Sequence, residues 1–313
     1  MSEKTVLNPI TNKCDILFLF DVVDGNPNGD PDGNPNGDPD AGNRPRQHRV
    51  DGDMRGFVTG ECIKRKIRDY VLRKVEAGEL PADKYDIYIR PGKPLDFKCQ
   101  EMAKSIGIEK LDKKGQKEIS GKEKDKELHD AMCARYFDVR TFGAVNTLFS
   151  DTAYSAAIRG PVQVTFCDSV HDIEPERLTL TRCVATKDNE DEKNRTMGDR
   201  WIVPYGLYKG VIRVSAEVAK KTGFSADDMS LLIEALEWMF EEDQSAARGL
   251  MTMRKLVVFE HSTARGKAHL SSLMDTVDVK LCNGMDAPSR YEDYEVGVRG
   301  ELLPPNVKMH VVV

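Results

Sequence analysis

Residues 24–39 read DGNPNGDP twice in immediate succession, directly after the apolar run Ile16–Val23 and shortly before a strongly basic segment. Asp, Gly, Asn and Pro tolerate turn and left-handed backbone, so the stretch predicts a string of turns and excludes both helix and ladder strand. Turn-only loops of this length are uncommon inside a compact domain and are usually functional or disordered. The second octapeptide reads as a duplicated, solvated tip. Calcium is the sharper alternative, because Asp24, Asn26, Asn28 and Gly29 match the first half of an EF-hand loop, as do Asp32, Asn34, Asn36 and Gly37. The bidentate Glu such a loop needs at its end is Pro35 in one register and Asn43 in the other, so the second half of the motif is missing.

Charge is unevenly spread. The chain carries −6 overall, yet Arg44–Lys74 holds ten Lys or Arg against four acids, while acids collect in 168–192 and 227–243. A basic face on an acidic remainder is the footprint expected of phosphate binding, whereas a merely solvated helix intersperses both signs. Seven cysteines stand singly with no CxxC pair, and His129, His171, His261 and His269 show no ligand spacing. Neither a disulfide framework, a zinc site nor another cofactor is indicated. The apolar runs are strand-sized and the start MSEKTVLNPITNK lacks a signal-peptide core, which predicts a cytoplasmic protein without membrane contact.

Periodicity supplies the elements. Cys14–Val23 predicts a central strand, and Thr59 caps a helix to about Glu76 whose apolar stripe is Ile63, Ile67, Val71 and Val75. Lys64 and Arg68, one turn apart, are expected to project together into solvent as phosphate grips near the helix N-terminus. A short strand is predicted at Tyr85–Arg90, then an exposed polar insertion over 91–150. Further strands are predicted at Gly160–Cys167, Tyr205–Val218, Met253–His261, Thr276–Leu281 and Val307–Val313, with a protruding hairpin over 168–201. Ser225 and Asp228 form a capping box for a helix to about Asp243. Strand–helix–strand occurring twice is the split βαβ pattern of an α+β, ferredoxin-like or RNA-recognition-motif sheet.

FDVVDGNPNGDPDAGN from Phe20 (allowing for the repeat), VTGECIKRKIRDY at Val58–Tyr70, DVRTFGAV at Asp138–Val145, RGPVQV at Arg159–Val164 and MGDRWIVPYGLY at Met197–Tyr208 carry a resemblance, as does Ala247–His261. Together they resemble the backbone subunit of Cascade, the RNA-guided surveillance complex of type I CRISPR systems, and within it the subtype I-C family. The doubled octapeptide and RQHRVDGDMRG behind it depart from that pattern. The resemblance implies a modified RNA-recognition-motif palm (residues 1–94, 151–167 and 202–313), an inserted helical finger or web (95–150) and a thumb β-hairpin (168–201). It further implies copies stacked head to tail along CRISPR RNA, each thumb folding over a neighbour's guide segment and kinking it, with segments left free to pair with target DNA. Other Cascade subunits, a cap or processing subunit and a large subunit, are the implied partners.

The candidate RNA-binding residues are Lys64 and Arg68, then Lys66, Arg44 and Arg46, with neutral donors from the Asn26–Gly29 turn, including Asn26 and Asn28. Arg140 and Phe142 fit a guide or subunit interface, Phe142 equally a packed ring; Arg159 fits either RNA or an acid in the core. Leu180 and Met197 are the wedge candidates of the thumb, where a bulky uncharged side chain replaces a stacked base. A different class of function is cleavage of target RNA, as in type III relatives that use an aspartate in the loop after the first strand. Asp24, Asp30, Asp32 and Asp38 lie there, but each is explained by turn chemistry and only His48 is near, so no catalytic residue is expected. The aromatic, basic consensus of a generic RNA-recognition-motif binder is absent.

Overall fold

β1 (Cys14–Gly25) is buried on both faces, which is why its sequence is apolar almost without alternation. In the computed structural model, which describes residues 9–28, 43–92, 94–107, 122–145, 157–181, 197–283, 285 and 287–313, it pairs antiparallel with two long strands. In chain order the sheet also uses β2 (Gln47–Val50), β3 (Asp53–Val58), and, after a ribbon of β4 (Gly143–Ala144) and β5 (Ile158–Arg159), β6 (Val162–Val164), β7 (Cys167–Asp172) and β8 (Glu176–Thr181). β9 (Met197–Val214) and β10 (Leu250–His261) flank β1, β11 (Val277–Leu281) and β12 (Tyr294–Val298) form a separate ribbon, and β13 (Val307–Val311) lies outside β10. The order is β13-β10-β1-β9-β7-β3-β2, with β6 and β8 also pairing β9 and each of these pairings antiparallel.

Two helices cover one face. α1 (Gly60–Glu76) starts where Thr59 Oγ1 accepts from Cys62 N at 3.2 Å, and it buries Ile63, Ile67 and Val71 as the four-residue spacing requires. The next helices are α2 (Ala82–Tyr85), α3 (Leu95–Ser105), α4 (Lys122–Arg135), α5 (Phe137–Phe142) and α6 (Ala216–Thr222). α7 (Ala226–Glu242) opens on the expected Ser225–Asp228 capping box and packs beside α1 over Ile16, Phe18, Phe20 and Val22. The opposite face of β1, Leu17 and Leu19, is covered by Leu273 of α8 (Leu270–Met274) together with Val277 and Tyr294 of the β11–β12 ribbon. That face of the sheet is therefore filled along its centre.

Buried carboxylates on β1 are neutralised in place. Asp15, fully buried, accepts from His261 Nε2 at 2.9 Å and pairs with Lys13 and Arg213 at 2.6 and 3.3 Å. His261 Nδ1 accepts from Lys267 N, so the ring proton sits on Nε2. Asp21 is held by Arg254 at 2.8 Å, and burial pushes its carboxyl above the ordinary range.

Four sequence expectations are corrected. Tyr85–Arg90 is no strand: α2 ends in it, and its amides and carbonyls are taken by side chains, Asp138 accepting from Tyr88 N and Ile89 N at 2.8 and 3.0 Å and Lys98 Nζ donating to Ile87 O and Tyr88 O at 3.2 and 2.6 Å. The insertion is not merely exposed, because α3, α4 and α5 enclose a small core of Tyr88, Cys99, Met102, Leu128, Met132 and Val139. The strand expected to reach Val218 stops at Val214, where Ser215 caps α6. Gly160–Cys167 splits into β6 and β7. Val164 faces Ile212 and Asp168 faces Lys209, so four steps on one strand match three on the other, a β-bulge at Thr165–Phe166.

Candidate nucleic-acid interface

The first copy of the repeated loop is pinned at its base. Asp24 adopts a left-handed backbone (φ 49°), and a Cβ on Gly25 would stand 1.9 Å from Arg248 O, so only glycine fits there. Asn26 N donates to Ala247 O at 2.9 Å and Asn26 Nδ2 to Asn43 O at 2.5 Å, which closes the loop across its ends. Asn28 Oδ1 accepts from Thr59 N at 2.8 Å, tying the loop to the start of α1. Arg248 adds donors to the carbonyls of Asn26 and Pro27 at 3.3 and 3.2 Å. Asn26 N, Asn26 Nδ2 and Asn28 Oδ1 are thus engaged within the protein, where they fasten the loop. The end of the first copy, with Asp30, and the whole second copy, with Asp32 and Asp38, lie outside the described residues.

Most of the cationic run is spent in the same way. Lys66 is 2 % exposed and bridges Asp243. Arg68, 11 % exposed, donates to the buried Asp138 at 2.9 Å, which corrects the expectation that it faces solvent. Lys64 and Arg68 do lie together, but over the ring of Phe142 at 6.0 and 5.2 Å, and Phe142 itself is packed. Arg140, expected at a guide or subunit interface, is buried in this chain in a forked pair with Asp228 at 2.7–3.1 Å. Net charge counted along the chain missed these partners because each lies far away in sequence.

The cations left facing outward are fewer. Arg44 is exposed, stacked over Trp201 at 5.0 Å and bonded to Gln47 at 3.3 Å. Arg46 is half-buried in the strand entry, its carbonyl accepting from Phe57 N at 3.0 Å. Arg65, 66 % exposed and paired with Asp69, is the most open of the ion-paired cations of α1. Arg159 is exposed on β5, so of its two readings the core pair is excluded. Leu180 is exposed on β8 as a wedge requires, whereas the side chain of Met197 lies outside the described residues, its backbone pairing with Thr181.

A second cluster was not visible in the sequence at all. On the face of the sheet opposite the helices, an open cleft of about 920 Å³ is lined by Arg55, Phe166, Asp168, Lys209, Asp278 and Arg299, among others. Arg55 is engaged by Asp53 at 3.2 Å and by backbone carbonyls, Arg299 by Asp278 at 2.5 Å, and Asp168 by His48 at 3.0 Å. Lys209 has no hydrogen-bond or ion-pair partner among the described residues, and burial lowers its ammonium below the usual lysine range despite Asp275 and Asp278 nearby. No group of three or more His, Cys, Asp or Glu among the described residues is arranged to hold a metal ion.

Residues 32–299 match the family model described as CRISPR-associated protein Cas7. The chain belongs to the Cas7 family. A curated relative, CRISPR-associated protein Cas7 of Haloferax volcanii, is 24 % identical over 280 residues, covering 86 % of this chain and 75 % of that protein. Among solved structures, a chain of a CRISPR RNA-guided surveillance complex in its pre-nicking state is similar with a TM-score of 0.52 at 14 % identity, covering 83 % of this chain and 81 % of the other. A second surveillance-complex chain aligns over 83 % of this chain and 73 % of its own, with a TM-score of 0.47 and 14 % identity. The segments that carried the Cas7 resemblance touch one another in the fold: Arg68 binds Asp138, Gly143 pairs with Arg159, and Asn28 holds Thr59.

Proposed function

We propose that this Cas7-family chain is the CRISPR RNA-binding backbone subunit of a type I-C Cascade complex, repeated along the guide and holding it kinked for pairing with target DNA. The observation that carries the reading is the family match over 32–299. The subtype rests on the quoted sequence segments. The RNA-recognition-motif palm is supported by the order β10-β1-β9-β6/β7, with α1 between β1 and β6 and α7 between β9 and β10. The thumb is the β8–β9 hairpin and the finger the α3–α5 insertion; neighbouring copies, the target strand and the cap and large subunits are its partners in a cytoplasmic complex. No helix among the described residues is long and apolar enough to cross a membrane.

Such a subunit recognises backbone and shape while base pairing reads sequence. A loop held in one shape by its own hydrogen bonds suits that mode of recognition. The test is co-purification from cells expressing a CRISPR array, followed by sequencing of bound RNA: repeat-spacer units are expected, and RNA without array enrichment overturns the reading. The subunit acts as a scaffold, with no catalytic side chain and no cofactor. Incubated with complementary RNA and magnesium or manganese, the assembled complex is expected to leave that RNA intact; cleavage abolished by Asp24→Ala or Asp30→Ala would move the assignment to a target-RNA nuclease.

A further inference from the structure

We propose that Phe166 is a stacking platform for an unpaired nucleobase, at the mouth of the cleft that contains Lys209. The proposal rests on the nucleic-acid reading above and adds to it a contact with base rather than phosphate.

The bulge at Thr165–Phe166 places the ring. Val162 and Val164 point into the helix-side core, and strict alternation would send residue 166 after them. The extra residue reverses the phase, so Cys167 enters that core and Phe166 emerges on the other face, 53 % exposed. There it joins two rings from distant parts of the chain. His48 lies 4.9 Å from Phe57, and Phe57 lies 5.4 Å from Phe166 at an interplanar angle of 21°, so the series ends in a ring whose outer side is open. A bulge that re-aims an aromatic side chain out of a core and onto solvent spends burial energy, and such bulges concentrate beside functional sites.

The chemistry of the surroundings favours a nucleotide. An exposed ring stacks any base regardless of sequence, as a guide scaffold needs. Thr165 N donates to Val211 O at 3.0 Å, and Lys209 stands two residues further along β9, about 6–7 Å away. An ammonium in the same cleft as Phe166, with no ion-pair partner among the described residues, is placed for the phosphate attached to the stacked base. Arg55 and Arg299 line the same cleft but are held by carboxylates, so they shape it.

The experiment measures affinity for single-stranded guide RNA at several salt concentrations, using the full chain and its Phe166→Ala, Phe166→Leu, Phe166→Trp and Lys209→Gln variants. Phe166→Ala is expected to weaken binding about tenfold without changing the slope of log affinity against log salt, Phe166→Trp to restore binding, and Phe166→Leu to fail to restore it. Lys209→Gln should lower the salt slope by about 0.7. Full affinity in Phe166→Leu would overturn the proposal and assign the ring to an apolar contact with a protein neighbour; full affinity in Phe166→Ala would also overturn it. If the unaltered chain bound no RNA, the nucleic-acid reading itself would fail, and this proposal with it.

Discussion

Arg68 lies one helical turn from Lys64, and by spacing alone the two form an outward cationic pair. The fold instead lays both on Phe142 and gives Arg68 to Asp138, a carboxylate 70 residues away that also accepts two backbone amides. Removing one partner of a buried pair leaves an uncompensated charge, so Arg68→Ala is expected to cost about 3–5 kcal/mol in urea unfolding. A loss below about 1 kcal/mol would contradict that account. Arg65→Glu, on the open side of α1, should change stability by no more than about 0.5 kcal/mol while lowering the salt slope of RNA binding by about 0.7. The two variants thus separate a cation that holds the fold together from one open to a phosphate. Sequence reasoning could rank neither correctly, because exposure depends on what packs against the helix.

At the scale of elements, the local signals were sufficient where the physics is local. Thr59 and the Ser225–Asp228 box cap their helices as expected, and the unbroken apolar run became the central strand. They failed at Tyr85–Arg90, whose strand-like composition meets no sheet edge and is satisfied by Asp138 and Lys98. The turn-rich loop was recognised, but not its fastening by Asn26, Asn28 and Arg248. All of these pins lie outside the second octapeptide. Deleting residues 32–39 is therefore expected to preserve folding and guide binding, since halving a loop changes its closure cost by only about 0.6 kcal/mol. Tm and RNA affinity of the deletion variant check this. A tenfold loss of affinity at unchanged Tm would assign the second copy to RNA or to a neighbouring subunit.

For the molecule as a whole, thiols buried in two separate cores make a prediction in alkali. Burial pushes the thiols of Cys14 and Cys133 from 9.0 up to about 12. The unfolded thiols ionise first, so the contribution of each is intact below pH 9.0 and is lost as pH rises toward about 12, at about 1.4 kcal/mol per pH unit per thiol. Urea unfolding at successive pH values should show this decline, and Cys14→Ala should remove one thiol's share of the slope; an identical slope in that variant would contradict the assignment. The amino-acid sequence by itself determined the helices with local caps, the central strand, the turn-rich loop and the kinship with Cas7, because propensity, periodicity and motif spacing act between near neighbours in the chain. Only the tertiary structure decided which cations are spent on Asp138, Asp228 and Asp243, which asparagines hold the loop, and that one extra residue turns Phe166 out of the core toward Phe57 and His48. Those outcomes depend on register and on charge partners dozens to hundreds of residues apart, and folding alone brings them within reach.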